Sequence, residues 1–204
     1  MTVYDFDNTI YQGESGFDIF IFFIKKDTKR VTRYIPKFTE GFIKYKLGRI
    51  TTHEVLEKYG SVLKEYCSTI PDINADIRDF WDEYESKIKS FYPKIHTDDD
   101  IIVSACPEFI LSEICKRIGV KNYIGSIINT ETWDIERVCY KEDKIKAFYQ
   151  TYGEVEIDDF YTDSISDKPM MDISKNVYFV TGDRIQKVKA NGIYLDDRFC
   201  DDID

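Results

Sequence analysis

Histidine is nearly absent from this chain. His53 and His96 are the only two, they stand apart, and both read as surface residues rather than ligands. The five cysteines, Cys67, Cys106, Cys115, Cys139 and Cys200, are odd in number and scattered, with no C-x-x-C pair. That argues against a disulfide framework and a zinc site, and fits reduced thiols in a cytoplasmic protein. Long apolar runs are missing too. The most apolar stretch, 17–24, is broken by Asp18 and is far too short to span a bilayer. No signal peptide is expected, because the first strand begins directly after Met1. Positive charge is in short supply: 28 Lys and Arg against 38 Asp and Glu leave a formal charge of -10. That balance argues against nucleic acid as the main partner. There is no internal repeat and no low-complexity tract.

What remains is ample for a folded core. Hydrophobic residues make up 43% of the 204 and charged residues 32%, which suits a soluble protein of one domain with an insertion, or of two small domains. The charge is uneven. Residues 25–58 hold ten Lys or Arg and four acids. The plain reading is a solvated helical surface; the functional one is a basic face for an anionic substrate or an anionic membrane surface.

The stretch that organises the rest is Asp5-Phe6-Asp7-Asn8-Thr9, directly after the short apolar run Thr2-Val3-Tyr4. It reads as a buried first strand that ends in two carboxylates and turns into a loop. If the backbone there is still extended, Asp5 and Asp7 share one side. Two such carboxylates repel unless a cation lies between them or one stays protonated. A small hard cation such as Mg2+ takes oxygen ligands and needs only one or two carboxylates, leaving sites for phosphate and water. Thr9 and the amides of the turn are candidate anion donors.

Beyond a turn-rich segment at 12–16, the pattern predicts helices over 17–26, over 31–47 with an interruption at Pro36, from Thr51 to about Tyr66, and over 73–90. Gly48 is a plausible helix stop, and Thr51 with Glu54 has the form of a capping box. The later chain alternates. Strands are expected over 100–104, 123–128, 157–161 and 177–180; helices over 107–118, 142–152, 167–174 and 183–190; 129–140 is irregular or a hairpin, and the acidic tail 196–204 is loose. Strand–helix alternation argues for a mainly parallel sheet covered by helices. The helical stretch 14–92 then reads as an insertion after a lone first strand.

In such a sheet ligands sit beyond the carboxyl ends of the strands. Asp5 and Asp7, Ser104 after Ile101-Ile102-Val103, and Asp163 with Ser164 and Asp167 all fall there, with a lysine near the start of the 142–152 helix. This ordered set resembles the haloacid dehalogenase-like phosphatases. D-F-D-N-T resembles their first motif, I-I-V-S-A their second, a single lysine their third, and Y-T-D-S-I-S-D-K-P their fourth. The helical block resembles the cap of the phosphoserine-phosphatase-like branch. The resemblance implies an α/β, Rossmann-like, mainly parallel sheet with helices on both faces. The core would comprise 1–13 and 93–204, and an all-helical cap 14–92 would close over the site through hinges near 13–16 and 92–97.

It also implies a magnesium-dependent phosphomonoester hydrolase acting on a small phosphorylated metabolite. Asp5 is then the nucleophile and Asp7 the acid and base. Asp5, Asp163 and the carbonyl of Asp7 would hold Mg2+, with Asp167 counted in the same metal site, where it would orient Asp163 or the lysine. Ser104, with the amides of Phe6, Asp7 and Ala105, would receive the phosphoryl oxygens; Asn8, Thr9 and Ser164 border the same place. Lys141 and Lys144, three apart and so on one helical face, both fit the lysine, with Lys144 favoured. Glu14 matches an acidic cap residue that contacts substrate. No arginine near Arg49 matches the one that clamps the phosphoserine carboxylate, and Cys106 reads as a packed thiol. Two other readings stay open: a phosphotransferase or phosphomutase, and a non-catalytic module that binds a membrane or a protein through its basic helices.

Overall fold

The computed structural model of the chain describes residues 1–47, 49 and 52–199. Strand β1 (Thr2–Tyr4) lies inside an eight-stranded sheet. It pairs in parallel with β2 (Ile101–Pro107) on one side and with β5 (Ile157–Thr162) on the other. Outside β2 runs β3 (Asn122–Ile128), and outside β5 runs β6 (Ser174–Thr181), both parallel to their neighbours. Antiparallel strands finish the edges: β4 (Ile135–Arg137) beside β3, then β7 (Arg184–Ala190) and β8 (Ile193–Tyr194) beyond β6. From β1 the chain first builds toward β4, then returns to start β5 on the other side. The order therefore reverses at β1, where an open α/β sheet forms a crevice at its carboxyl edge.

Between β1 and β2 the chain is helical: α1 (Ser15–Lys26), α2 (Thr28–Val31), α3 (Ile35–Lys46), α4 (Thr52–Cys67), α5 (Ile73–Tyr84), a 3-10 turn at Glu85–Lys87, and α6 (Tyr92–Ile95). Pro36 is the second residue of α3, where a missing N–H costs little, so the break falls before it, at 32–34. The Asp72 side chain caps α5 by accepting the Ala75 N–H at 2.9 Å. Helix α5 stops at Tyr84, short of the expected 90, because the following segment turns to bond the loop after β1: Gln12 N–H donates to Lys87 O at 2.8 Å, and Lys89 N–H to Ile10 O at 2.8 Å. The expected stop at Gly48, the Thr51 half of the capping box, the His53 side chain and Cys200 lie outside what is described.

After β2 come α7 (Glu108–Arg117), α8 (Glu142–Tyr152) and α9 (Lys168–Asp172). Alternate residues of β1 and β2 face opposite sides of the sheet. Tyr4 and Ile102 join a core with α1, α4, α5 and α7. Val3, Ile101 and Val103 join another with α8 and α9. The helical stretch after β1 thus shares its core with one face of the sheet. Trp81 is the junction. It is fully buried, packs edge-on against Phe6 and Tyr11, and donates its Nε1–H to Ile110 O of α7 at 2.9 Å. The expected hinge at 92–97 is packed as well: Tyr92 is fully buried against Tyr4, and His96, half-buried rather than on the surface, meets Asp100 Oδ2 at 3.0 Å.

Two expectations are corrected here. Residues 184–190 form strand β7, not a helix. Thr181 pairs with Arg184 across Gly182-Asp183, with Gly182 at φ 59°. Ala190 pairs with Ile193 across Asn191-Gly192, both at positive φ. Such two-residue connections are the favoured hairpin turns. The tail is also ordered as far as Phe199, which is buried against Phe179. Several basic residues of 25–58 are paired to acids: Lys25 to Glu83, Lys26 to Asp76 and Asp79, Arg30 to Asp27, Arg33 to Glu65, and Lys44 to Glu40. Among the described residues, no helix is long and apolar enough to cross a membrane, and Cys67, Cys106, Cys115 and Cys139 are buried free thiols.

Candidate active site

Asp5 leaves β1 with its N–H bonded to Tyr161 O of β5 at 2.9 Å, so its side chain starts at the reversal of the sheet. The loop after it winds tightly: the N–H groups of Thr9, Ile10 and Tyr11 all donate to Phe6 O, and Asn8 N–H donates to Gly13 O. Asn8 takes φ 57°, a left-handed conformation that asparagine tolerates better than most residues. Phe6 is buried with its ring against Tyr11 and Trp81, so only its backbone is available to a ligand.

Of the two candidate lysines, Lys144 is the one placed against the aspartates. It is buried in α8, and its Nζ lies 2.7 Å from both Asp5 Oδ1 and Asp167 Oδ1. Lys141 is not on the same helical face. It precedes α8 at φ 49°, and its ammonium lies over the Tyr140 ring. The unexpected feature is its left-handed backbone, which takes it out of the helical count.

Asp167 reaches Lys144 through Oδ1, and its Oδ2 accepts Thr162 Oγ1–H at 2.8 Å. Asp7 is turned to α1, with its Oδ1 accepting the Ser15 N–H at 2.7 Å. Thr9 is fully buried and its Oγ1 reaches Asp5 Oδ2 at 3.3 Å and Asp163 Oδ1 at 3.2 Å. It bridges the two carboxylates. Ser164 caps the turn 165–167 by accepting the Ser166 N–H. Buried Ser104 accepts the Cys106 N–H at 3.0 Å, which leaves its own proton as a donor. Ala105 follows it as an exposed residue between buried Ser104 and buried Cys106. Glu14 accepts Asn8 Nδ2–H at 3.2 Å and begins α1. Cys106 is buried, and burial pushes its thiol well up, which suits packing and not nucleophilic attack.

The electrostatics follow from burial. Burial pushes the Asp5 carboxyl well up; Lys144 opposes this, while Asp167 and Asp163 add to it. Asp163 is raised as well, by burial first, with the Thr9 hydroxyl opposing. Burial lifts Asp7 to about 6, against the pull of the Ser15 N–H. Burial disfavours charged Lys144, but Asp167 and Asp5 outweigh it and hold the lysine protonated. Two buried carboxylates, Asp5 and Asp167, thus share one ammonium.

Among the described residues no three His, Cys, Asp or Glu side chains converge as a ready metal cluster. Asp5 and Asp163 do meet at one hydroxyl, that of Thr9, and burial raises both. A small hard divalent cation needs no more than one or two protein carboxylates, so this pair of oxygen donors fits such an ion. A residue that the sequence pattern did not single out completes the frame. Lys89, buried on the segment after α5, donates its Nζ–H to the carbonyls of Asn8 and of Gly182, the latter at 2.7 Å. It ties the loop after β1 to the β6–β7 turn. With Asp163, Asn8 and Gln12 it lines a cavity of about 360 Å³.

A mainly parallel sheet that reverses at β1, with two aspartates leaving β1, a serine on β2, a buried lysine on α8 and acids after β5, defines a class of α/β hydrolytic enzyme. The chain belongs to the haloacid dehalogenase-like hydrolases, whose family model matches residues 2–172. Solved structures agree at the level of the fold. A protein of unknown function from Bordetella pertussis Tohama I superposes with a TM-score of 0.68 at 16% identity, over 84% of this chain and 85% of that one. A phosphoserine phosphohydrolase-like protein from Francisella tularensis gives 0.58 at 14% identity, over 86% and 84%. A haloacid dehalogenase family hydrolase from Salmonella enterica gives 0.59 at 12% identity, over 85% of this chain and 59% of that one. No curated protein matches the sequence.

Proposed function

We propose that the protein is a phosphomonoester hydrolase that works through a phosphorylated Asp5, with magnesium as its cofactor and a small phosphorylated molecule as substrate. The observation that carries this reading is the buried Lys144 held 2.7 Å from both Asp5 and Asp167 at the carboxyl edge of β1. It fixes Asp5 in place and brings positive charge to where a phosphoryl group would sit. Residues 1–13 and 93–204 form the α/β core in this reading, and 14–92 the cap.

Asp5 attacks phosphorus through a carboxylate oxygen, the ester P–O bond breaks, and Asp7 gives its proton to the departing alkoxide. Water then attacks the same phosphorus, Asp7 takes the proton back, the acyl phosphate opens, and Asp5 is regenerated with release of inorganic phosphate. One residue serves as acid and then base because its carboxyl, lifted to about 6 by burial, has both forms within reach near neutrality. Ser104 O–H and the amides of Phe6, Asp7 and Ala105 are the donors for the phosphoryl oxygens. Asp5 and Asp163, with the carbonyl of Asp7, would hold magnesium, which when bound supplies charge neutralisation for the phosphoryl oxygens. Thr9 keeps the two carboxylates in register, and Asp167 keeps Lys144 in place.

The test is phosphate release from a panel of phosphomonoesters by the purified protein. Activity should require magnesium, stop on chelation, and be lost in Asp5→Asn. Undiminished turnover in excess chelator, or by Asp5→Asn, contradicts the proposal.

A further inference from the structure

A second cavity, of about 400 Å³, has Glu14 in its wall. Its size falls in the range of about 300–1,000 Å³ usual for ligand sites. Its walls come from α1, the α3–α4 pair, the start of α5, the junction of β2 with α7, and the β3–β4 hairpin. Phe17, Phe20, Leu63, Phe109, Trp133 and Ile135 represent these walls. Among its described lining residues, Glu14 is the single charged one. Phe17, a large apolar side chain on this wall, is 38% exposed.

Three residues of its wall adjoin the site above. Glu14 lines it and also accepts the Asn8 side-chain N–H. Gly16 lines it and follows Ser15, whose N–H holds Asp7. Pro107 lines it and closes the strand that carries Ser104. A substrate with its phosphoryl group at Asp5 and its ester oxygen toward Asp7 would direct its alcohol along these residues into the cavity. No described cation is there to pair with a carboxylate or a second phosphate on that alcohol, and a polar alcohol would lose its hydration against hydrocarbon walls.

Resting on the phosphatase reading, we propose that this cavity is the leaving-group site and that the substrate is a phosphomonoester whose alcohol carries a hydrocarbon chain. At about 30 Å³ per small group, the cavity holds on the order of a dozen methylenes. Transfer of each methylene from water favours binding about fourfold.

The experiment is a chain-length series on the whole protein. Calorimetric titration with ethyl-, butyl-, hexyl- and octylphosphonate, which cannot be hydrolysed at the P–C bond, reads binding alone. Turnover of the matching alkyl phosphates, beside phosphoserine and glycerol phosphate, reads catalysis. Kd should fall, and kcat/KM rise, about fourfold per methylene. Gly60→Leu narrows the cavity from α4: among the described residues a Cβ there meets Ile135 Cδ1, at 4.0 Å, and leucine is the better helix former. It should weaken octylphosphonate at least tenfold relative to ethylphosphonate. Affinity and turnover independent of chain length, or phosphoserine as the best substrate, overturn the proposal and leave the phosphatase reading standing. A chain-length series in binding with no hydrolysis of any ester supports the cavity assignment and removes the phosphatase reading instead.

Discussion

Replacing Lys144 by methionine isolates the ion pair at the centre of the site. The wild-type ammonium lies 2.7 Å from Asp5 and from Asp167, and all three groups are buried. Methionine keeps much of the volume and removes the charge, so two buried carboxylates lose their partner. Breaking a buried pair in this way costs about 3–5 kcal/mol. For a chain of this length each kcal/mol lowers Tm by roughly 2–4 °C, which predicts a fall of roughly 6–20 °C. The sign of the pH dependence follows from Asp5. Burial already raises its carboxyl, and Lys144 is the group that opposes the rise. Without the lysine the folded value climbs further above the unfolded one, so the folded state binds more protons over the interval between them. Stability then falls as pH rises through that interval. The deficit of Lys144→Met should therefore be larger at pH 8 than at pH 5, and Asp167→Asn in the same chain should recover part of it. Urea unfolding at the two pH values measures this. A deficit below about 1 kcal/mol at pH 8, or one that grows on acidification, would refute the reasoning.

Other perturbations follow from the same geometry. Gly125→Ala would place a Cβ 2.5 Å from the Cys106 carbonyl oxygen; the end of β2 must move, which should destabilise the fold by about 1–3 kcal/mol and lower turnover through Ser104, as thermal melts and steady-state rates will read. Lys89→Met leaves the Asn8 and Gly182 carbonyls without their donor and should cost about 1–3 kcal/mol, with a lower kcat; a wild-type melt and kcat would show that the loop does not depend on this clamp. Trp81→Phe removes the bond to Ile110 O and should destabilise by about 1 kcal/mol or more in denaturant unfolding. Asp7→Asn should cut kcat by about 10²–10⁴-fold on esters with poor leaving groups, and by less when phosphorylation of Asp5 is measured with an activated aryl phosphate.

The carboxylates could be read from the chain because they sit where an apolar strand stops. Thr2-Val3-Tyr4 before Asp5, Ile101-Ile102-Val103 before Ser104, and the strand before Asp163 each put a polar group at the same edge of a parallel sheet. The choice between Lys141 and Lys144 could not be made that way. It depends on a positive φ at Lys141, which no spacing rule reveals. Lys89 was invisible for a related reason: its partners are backbone carbonyls, one of them near residue 182. Strand β7 does carry a local signal. Gly182-Asp183 and Asn191-Gly192 are hairpin dipeptides on either side of Arg184–Ala190, which marks a strand between two turns rather than a helix. The aromatics of 17–66 announce a core, but not the cavity that Phe17, Phe20 and Phe23 line with residues of later segments. That depends on how distant segments meet.

The central claim is that Asp5 carries the phosphoryl group. Its most direct test is mass spectrometry of acid-quenched Asp7→Asn protein after reaction with an activated aryl phosphate in magnesium. The account predicts a phosphoryl adduct on the peptide that contains Asp5, absent when Asp5 is also changed to asparagine. An adduct on Ser104, Ser164 or a cysteine, with Asp5 unmodified, would contradict it.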